Sequence, residues 1–231
     1  MNLRTFDIDE AVWTLIAPLL PDQSAKPQGG RPPLENYRVL CGIIYRLSTG
    51  CQYKALPERF GCGSAVHRHF QQWVKAGIFQ QVFEILLRFY DEFQGIGWDW
   101  MSLDASNIKA PKGGTHAGRN PTDRGKLGTK RHILADERGV PIAVEISGAN
   151  VHDVKNALPT IDAIPPRASK NGNIPKNICM DKAYDSEALR EQIRQRGMIP
   201  HVRRRGEPPL TVMRKGKPRR WVVERTNSWY N

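Results

Sequence analysis

The sequence predicts an α/β fold: a mixed sheet flanked by helices over residues 96–231, preceded by an all-helical domain over residues 1–95. Two observations predict it. Apolar residues recur at helical spacing through the first hundred residues. After Gly95 they gather instead into short runs bounded by turn residues, in the order three strands, helix, strand, helix, strand, helix, a mixed α/β order. At 231 residues the chain is long enough for two such units.

The elements follow in order. Asp7 or Asp9 is placed to cap a first helix whose apolar positions Val12, Trp13, Ile16, Leu19 and Leu20 run up to Pro21. The connector SAKPQGGRPPLEN, rich in Gly and Pro, leads to a second helix carrying Tyr37, Leu40, Ile43, Ile44 and Leu47, closed by Ser48, Thr49 and Gly50. Leu56, Pro57 and Phe60 precede the turn GCGS. Ser64 is then placed to cap a helix with Ala65, Val66, Phe70, Trp73 and Val74 on its apolar stripe. Two short helices around a Gly turn fit a helix-turn-helix, with His67, Arg68, Gln71, Gln72 and Lys75 off the stripe. That polar side fits a DNA groove and fits a solvated face equally. Phe79 to Phe93 reads as one more amphipathic helix.

The strands are expected at Trp98–Leu103, at Lys130–Leu134 and Pro141–Ile146 around the turn DERG, at Asn177–Met180 and at Met198–Val202. Helices are expected at Asp153–Ile164, with Asp153 as the cap, and at Ser186–Arg196, with Ser186 as the cap. A terminal helix carries Glu224.

The net charge of +12 calls for a polyanionic partner, because clustered Lys and Arg gain affinity by releasing counterions from phosphates. Nucleic acid leads and an anionic membrane surface is second. No stretch approaches the roughly twenty apolar residues that span a bilayer, and the N-terminus lacks the layout of a signal peptide, so a cytoplasmic protein is expected. The four cysteines form no C-x-x-C pair, which argues against a zinc finger or redox dithiol. GCG and GKLG lack the strand and helix context of a nucleotide-binding loop, so no ATP or dinucleotide site is expected.

Three acids stand where this order can bring strand ends together: Asp104 at the end of the first run in WMSLDAS, Asp181 at the end of the fourth in ICMDKAYDS, and Glu224 in RRWVVERTNSW. Hard divalent cations take such oxygen ligands, and two ions about 3.5–4 Å apart suit phosphodiester cleavage without a Ser, Cys or His nucleophile. Lys109, Lys112, His116, Arg119, Arg124, Lys126, Lys130, Arg131 and His132 make a Gly-interleaved cationic edge between the first acid and the second strand. A second basic tract, from Arg203 to Arg220, precedes Glu224. Either tract fits a DNA strand or a solvated loop. His152 and Asp153 look like a metal pair, but helix capping is the reading preferred.

The stretch SLDASNIKAP, then GRNPTDRGKLGTKRHILADERGVPIAVEISGANVHD, then MDKAYDS resembles the DDE transposases of bacterial insertion sequences, and the resemblance runs through nearly the whole chain. It implies an RNase H-like mixed sheet behind an N-terminal DNA-binding domain. It places the family's three metal-binding acids on Asp104, Asp181 and Glu224, served by Mg²⁺ or Mn²⁺, two ions in all. It further implies cleavage at the ends of the element, attack of the exposed 3′ hydroxyl on target DNA, and a homodimer on double-stranded DNA in a nucleoid-associated bacterial protein. Arg68, Lys109, Arg119, Arg124, Lys126, Lys130, Arg131 and Arg220 are the expected DNA contacts. Around the glutamate the family's signature is half present: Arg220 and Glu224 fit, whereas Lys217 and Asn231 stand where relatives have Tyr and Lys. Resemblance at the level of the fold leaves open a nuclease that cuts but does not join; relatives also continue further beyond the glutamate, which leaves open a truncated, inactive DNA-binding form.

Overall fold

The computed structural model describes residues 6–22, 29, 32–166, 168, 172–204 and 221–229. It divides into two compact units, Met1–Phe89 and Tyr90–Asn231, a division six residues before the 95/96 boundary expected from composition.

The first unit is helical: α1 (Glu10–Ile16), α2 (Asn36–Thr49), α3 (Gly63–Lys75) and α4 (Ile78–Phe93), the last running across the division. Asp9, not Asp7, caps α1, its carboxylate accepting from the Ala11 amide at 2.9 Å. The α-helix ends at Ile16, and Ala17–Leu19 tightens into a 3-10 turn around Pro18, which cannot supply the next amide. α2 ends in a left-handed Gly50, whose amide bonds the Arg46 carbonyl. The two short helices expected around the Gly turn are in fact a 3-10 turn, Glu58–Phe60, followed by α3; α3 packs instead on the fourteen-residue α2. Ser64 is not the cap. α3 begins one residue earlier, where a Cβ on Gly63 would collide with the Tyr53 carbonyl.

One core holds these helices together: Val39, Leu40, Cys41, Ile43, Leu56, Phe60, Val66, Trp73 and Ile78 are all buried. Leu47 and Val74, read as stripe residues, lie exposed at 63% and 51%, because each falls at the end of its helix beyond the packed partner. His67, Arg68, Gln71, Gln72 and Lys75 are all exposed along α3.

The second unit is a six-stranded mixed sheet: β1 (Trp100–Lys109), β2 (Gly118–Arg119), β3 (Leu127–Asp136), β4 (Pro141–Gly148), β5 (Asn177–Met180) and β6 (Ile199–Val202). β1, β3 and β4 form an antiparallel meander, and the two-residue β2 adds to the end of β3. β5 pairs parallel to β1 and β6 parallel to β5. Three helices complete it: α5 (Asp153–Asp162), α6 (Glu187–Gln195) and α7 (Trp221–Trp229). A meander extended beyond its first strand by two parallel strands, β5 on β1 and β6 on β5, is the RNase H-like arrangement.

α5 packs on β3 and β4, and α7 packs on β1 and β3. Strand alternation assigns the faces. Ile133 and Ala135 of β3 cluster with Val223 of α7, so Asp104, which pairs with Ile133, faces α7 as well. Leu103, Leu134 and Met180 belong to the other face and are buried. The hairpin turn between β3 and β4 requires Gly139 twice over. Its φ is +91°, and a Cβ there would meet Thr226 Oγ1 of α7 at 3.0 Å.

Three local expectations are corrected. β1 does not end at Asp104: backbone pairing with β3 carries it on through Lys109, paired with Gly128, although its residues turn polar after Leu103. The cap of α5 is His152, whose Nδ1 accepts from the Val154 amide at 3.4 Å, because Asp153 points away to an ion pair with Lys130. Trp98 precedes the sheet rather than opening it. Ser186 does cap α6, accepting from the Leu189 amide at 3.3 Å.

Candidate metal and DNA site

The parallel register of β1 and β5 runs from Trp100 beside Asn177 to Leu103 beside Met180. Asp104 is the next residue of β1, and Asp181 is the residue that follows β5, so both stand at the same end of the paired stretch, on strands of a spacing of about 4.8 Å. Both side chains are half-buried. Asp181 also caps the 3-10 turn Lys182–Tyr184, its Oδ1 accepting from the Ala183 amide at 2.7 Å. That bond fixes one carboxylate oxygen. Below it, Arg190 of α6 is buried and pairs with Asp185 at 2.6 Å while donating to the Val202 carbonyl of β6 at 3.3 Å, so the turn after Asp181 is pinned to the neighbouring strand.

Glu224 arrives from α7. Val222 and Val223 bury that helix on the sheet, and Thr226 Oγ1 donates to the Gly139 carbonyl at 2.7 Å. One turn beyond Glu224, Asn227 donates from Nδ2 to Asp104 Oδ2 at 3.0 Å. Glu224 itself is exposed. Among the described residues no three of His, Cys, Asp and Glu are gathered closely enough to enclose a metal ion. Asp104 and Asp181 therefore stand at the same end of the β1–β5 pairing, and the helix of Glu224 is tied to Asp104 through Asn227, without the three acids closing into one cage among the described residues.

The donor chemistry fits a hard divalent cation: two carboxylates at the same end of the β1–β5 pairing, a third acid on a helix bonded to the first, and the buried Oδ1 of Asn227, which has no hydrogen-bond partner among the described residues. Asn227 was not singled out in the sequence, although it lies three residues after Glu224 and so on the same helical side.

The expected DNA contacts divide. Arg68 is exposed on α3 in the first unit. Lys109, Arg119, Arg124 and Lys126 are exposed around the connection from β1 to β3. A built turn presents three of these: Asn120 Oδ1 accepts from the amide and hydroxyl of Thr122, the Asn120 carbonyl accepts from the Gly125 amide, and Arg124 takes a left-handed φ of 52°. Lys130 is different. Its ammonium is bonded to Asp153 Oδ1 at 2.7 Å and to the Val151 carbonyl at 2.8 Å, and its side chain is only 14% exposed, so its charge faces inward rather than toward a backbone phosphate. Arg131 lies on the α7 face, donating to Ser106 Oγ and to the Asn227 carbonyl. Arg220 lies outside the described residues.

On the opposite face His132 is fully buried, its Nε2 bonded to Ser147 Oγ at 2.8 Å. Burial pushes its pKa below the ordinary imidazole value, against the opposing pull of Asp153. It serves the sheet as a neutral hydrogen-bonding group. Among the described residues no helix is long and apolar enough to cross a membrane.

Residues 101–231 match a family model described as "Transposase DDE domain", and residues 8–83 match one described as "Putative transposase of IS4/5 family". Over 130 residues, 55% of this chain, the sequence is 42% identical to a Burkholderia cepacia protein named "Putative transposase for insertion sequence element IS402"; the match spans 58% of that relative's length. A second Burkholderia cepacia protein, "Insertion element IS402 uncharacterized 16.2 kDa protein", is 36% identical over 118 residues, covering 49% of this chain and 80% of its own. Among solved structures, the Mos1 transposase paired-end complex with left transposon end aligns over 90% of this chain and 80% of its own, at 12% identity and a TM-score of 0.32.

Proposed function

Because this chain belongs to the DDE transposase family, we propose that it binds the terminal inverted repeats of its own insertion sequence and cuts and joins DNA there, with Asp104, Asp181 and Glu224 as its catalytic acids. The observation that supports this most directly is that Asp104 continues β1 and Asp181 follows β5 at the same end of their pairing, together with the bond from Asn227 that ties the Glu224 helix to Asp104.

Asp104, Asp181 and Glu224 would hold two Mg²⁺ or Mn²⁺ ions. Such a pair supplies activation of a nucleophile on one side of a phosphorus and stabilisation of the leaving oxygen on the other. The protein's own part is placement. The sheet carries Asp104 and leads into Asp181, whose Oδ1 accepts from the Ala183 amide, and Asn227 donates to Asp104 Oδ2. Exposed Lys109, Arg119, Arg124 and Lys126 offer charge to the DNA backbone beside this edge, and the polar side of α3 with Arg68 offers a second DNA surface in the helical unit. Phosphate contacts of this kind set position and carry the salt dependence of binding.

The test is an end-cleavage and strand-transfer assay on the DNA flanking the gene, with and without Mg²⁺. The expected result is Mg²⁺-dependent cleavage at the element end and joining of a pre-cleaved end to target DNA. Hydrolysis without joined product would instead mark a nuclease, and no reaction in Mg²⁺ or Mn²⁺ would remove the enzymatic reading.

A further inference from the structure

The outer side of α3 is a continuous strip. Ser64, His67, Arg68, Gln71, Gln72 and Lys75 recur at helical spacing and are all exposed, while Val66 and Trp73 on the other side are buried. α3 contains no Asp or Glu, so nothing on the helix itself repels a phosphate. Two residues of the strip are held in place by the fold. His67 stacks on Tyr53 with ring centroids 4.4 Å apart, and the Arg46 guanidinium lies 5.4 Å from the centre of the same Tyr53 ring. The 3-10 turn Tyr53–Ala55 packs on α3, with the Tyr53 carbonyl against Gly63, so this stack is fixed to the helix at both ends. One helical turn beyond His67, Gln71 Nε2 donates to His67 Nε2 at 3.3 Å. An amide nitrogen only donates, so the imidazole nitrogen is the acceptor.

We propose that Gln71 is the base-reading residue of α3, selecting an A·T pair in the major groove of the element's DNA ends, with His67 as the residue that positions it. This rests on the reading that the chain binds those ends. The bond to His67 takes one of the two amide N–H groups, and Gln71 still offers one donor and one acceptor on a planar fork. In the major groove adenine presents N7 as acceptor and its N6 amine as donor, whereas guanine presents two acceptors. The fork therefore matches adenine and sets its oxygen against an oxygen on guanine. Because the Tyr53 stack and the His67 bond order the amide in the free protein, less order has to be created on binding. Arg68 and Lys75, on the same strip, supply the charge for flanking phosphates, which sets position without reading sequence.

The full chain is titrated by fluorescence anisotropy against a duplex from the end of the element and against a series in which each base pair is exchanged in turn. The expected result is one A·T pair whose exchange weakens binding of the parent by about 5–150-fold. Gln71→Ala loses that preference alone and keeps the parent's salt slope, since a neutral amide releases no counterions. An adenine analogue with carbon in place of N7 at that pair weakens the parent and leaves Gln71→Ala unchanged. His67→Phe keeps a ring on Tyr53 but loses the acceptor, so discrimination at the same pair falls by about 2–10-fold; full discrimination in that variant overturns the positioning role. A loss spread evenly over the series in Gln71→Ala overturns the base-reading role. If the parent distinguishes the element end from shuffled DNA and Gln71→Ala keeps its preference at every pair, this inference fails alone; if the parent does not distinguish them, the reading of specific end binding beneath it fails too.

Discussion

Two parts of one proposed site are held in opposite ways. Asp104 takes its place from backbone pairing, β1 bonding to β3 on one side and β5 on the other, and Asp181 follows directly on the last paired residue of β5. Glu224 takes its place from a nine-residue helix seated by Val222 and Val223, by Thr226 on Gly139, by Arg225 on the Arg138 carbonyl, and by Asn227 on Asp104. The sheet half is redundant and the helix half is not. Removing one hydrogen bond from a ladder leaves its neighbours in register, whereas removing one of α7's few anchors shifts the acid it carries. Displacements of about 1 Å in a catalytic group can cost about 100-fold in rate.

The largest effect is expected where the ligand itself is lost. Asp181→Ala abolishes Mg²⁺-dependent end cleavage while leaving binding to the inverted repeat within about threefold of the parent; a gel-shift and a cleavage assay on the same DNA read both, and cleavage at the parent rate would sink the assignment of Asp181. The threefold figure reflects that sequence-independent affinity comes from cations rather than from acids.

Next comes the anchor that separates the two halves. Asn227→Ala leaves the sheet pair in register but frees the end of α7, so cleavage falls by about 10–100-fold with DNA binding intact. The lost bond to a charged acceptor also destabilises the fold by about 1.5–3 kcal/mol, visible in denaturant unfolding. If cleavage is unaffected, α7 needs no tie to Asp104 and the contrast between the halves collapses.

The sheet half was legible in the sequence because its signal is local: apolar runs bounded by turns gave the strand order, and both acids stand at the edge of such runs. What was misjudged is where backbone pairing outlasts the apolar pattern. β1 continues through Ser106, Asn107 and Lys109 because β3 lies beside it, and nothing in those residue types announces a strand. The exchange of roles between His152 and Asp153 has the same origin, since Asp153 is drawn off by a lysine 23 positions earlier in the chain. Asn227 was overlooked for a stronger version of that reason: it acts on a carboxylate 123 positions away. The basic residues show the limit of composition: Lys126 and Lys130 read alike in the chain, yet one is exposed and the other is tied to Asp153.

That last pair sharpens the comparison further. Lys130→Ala strips Asp153 of its partner in a setting where the two side chains are only 14% and 23% exposed, which is expected to destabilise the second unit by about 2–3 kcal/mol. Because this lysine faces inward, the salt dependence of DNA binding should stay as in the parent. A shallower salt slope with unchanged stability would return Lys130 to the DNA surface.

The smallest effect belongs to the exposed turn after β2. Replacing Arg119, Arg124 and Lys126 together with Ala touches no buried group, so the melting temperature should hold. What changes is the electrostatic share of binding. Each lost phosphate contact lowers the slope of log affinity against log salt by about 0.9, so three contacts predict a loss approaching 2.7. A slope reduced by about one would mean that a single side chain reaches a phosphate; with Asn120 ordering the turn and Arg124 held at a left-handed φ, that residue is expected to be Arg124. An unchanged slope would remove this edge from the DNA path and leave the polar side of α3 as the main cationic surface, which the single variant Arg68→Ala then tests by the same measurement.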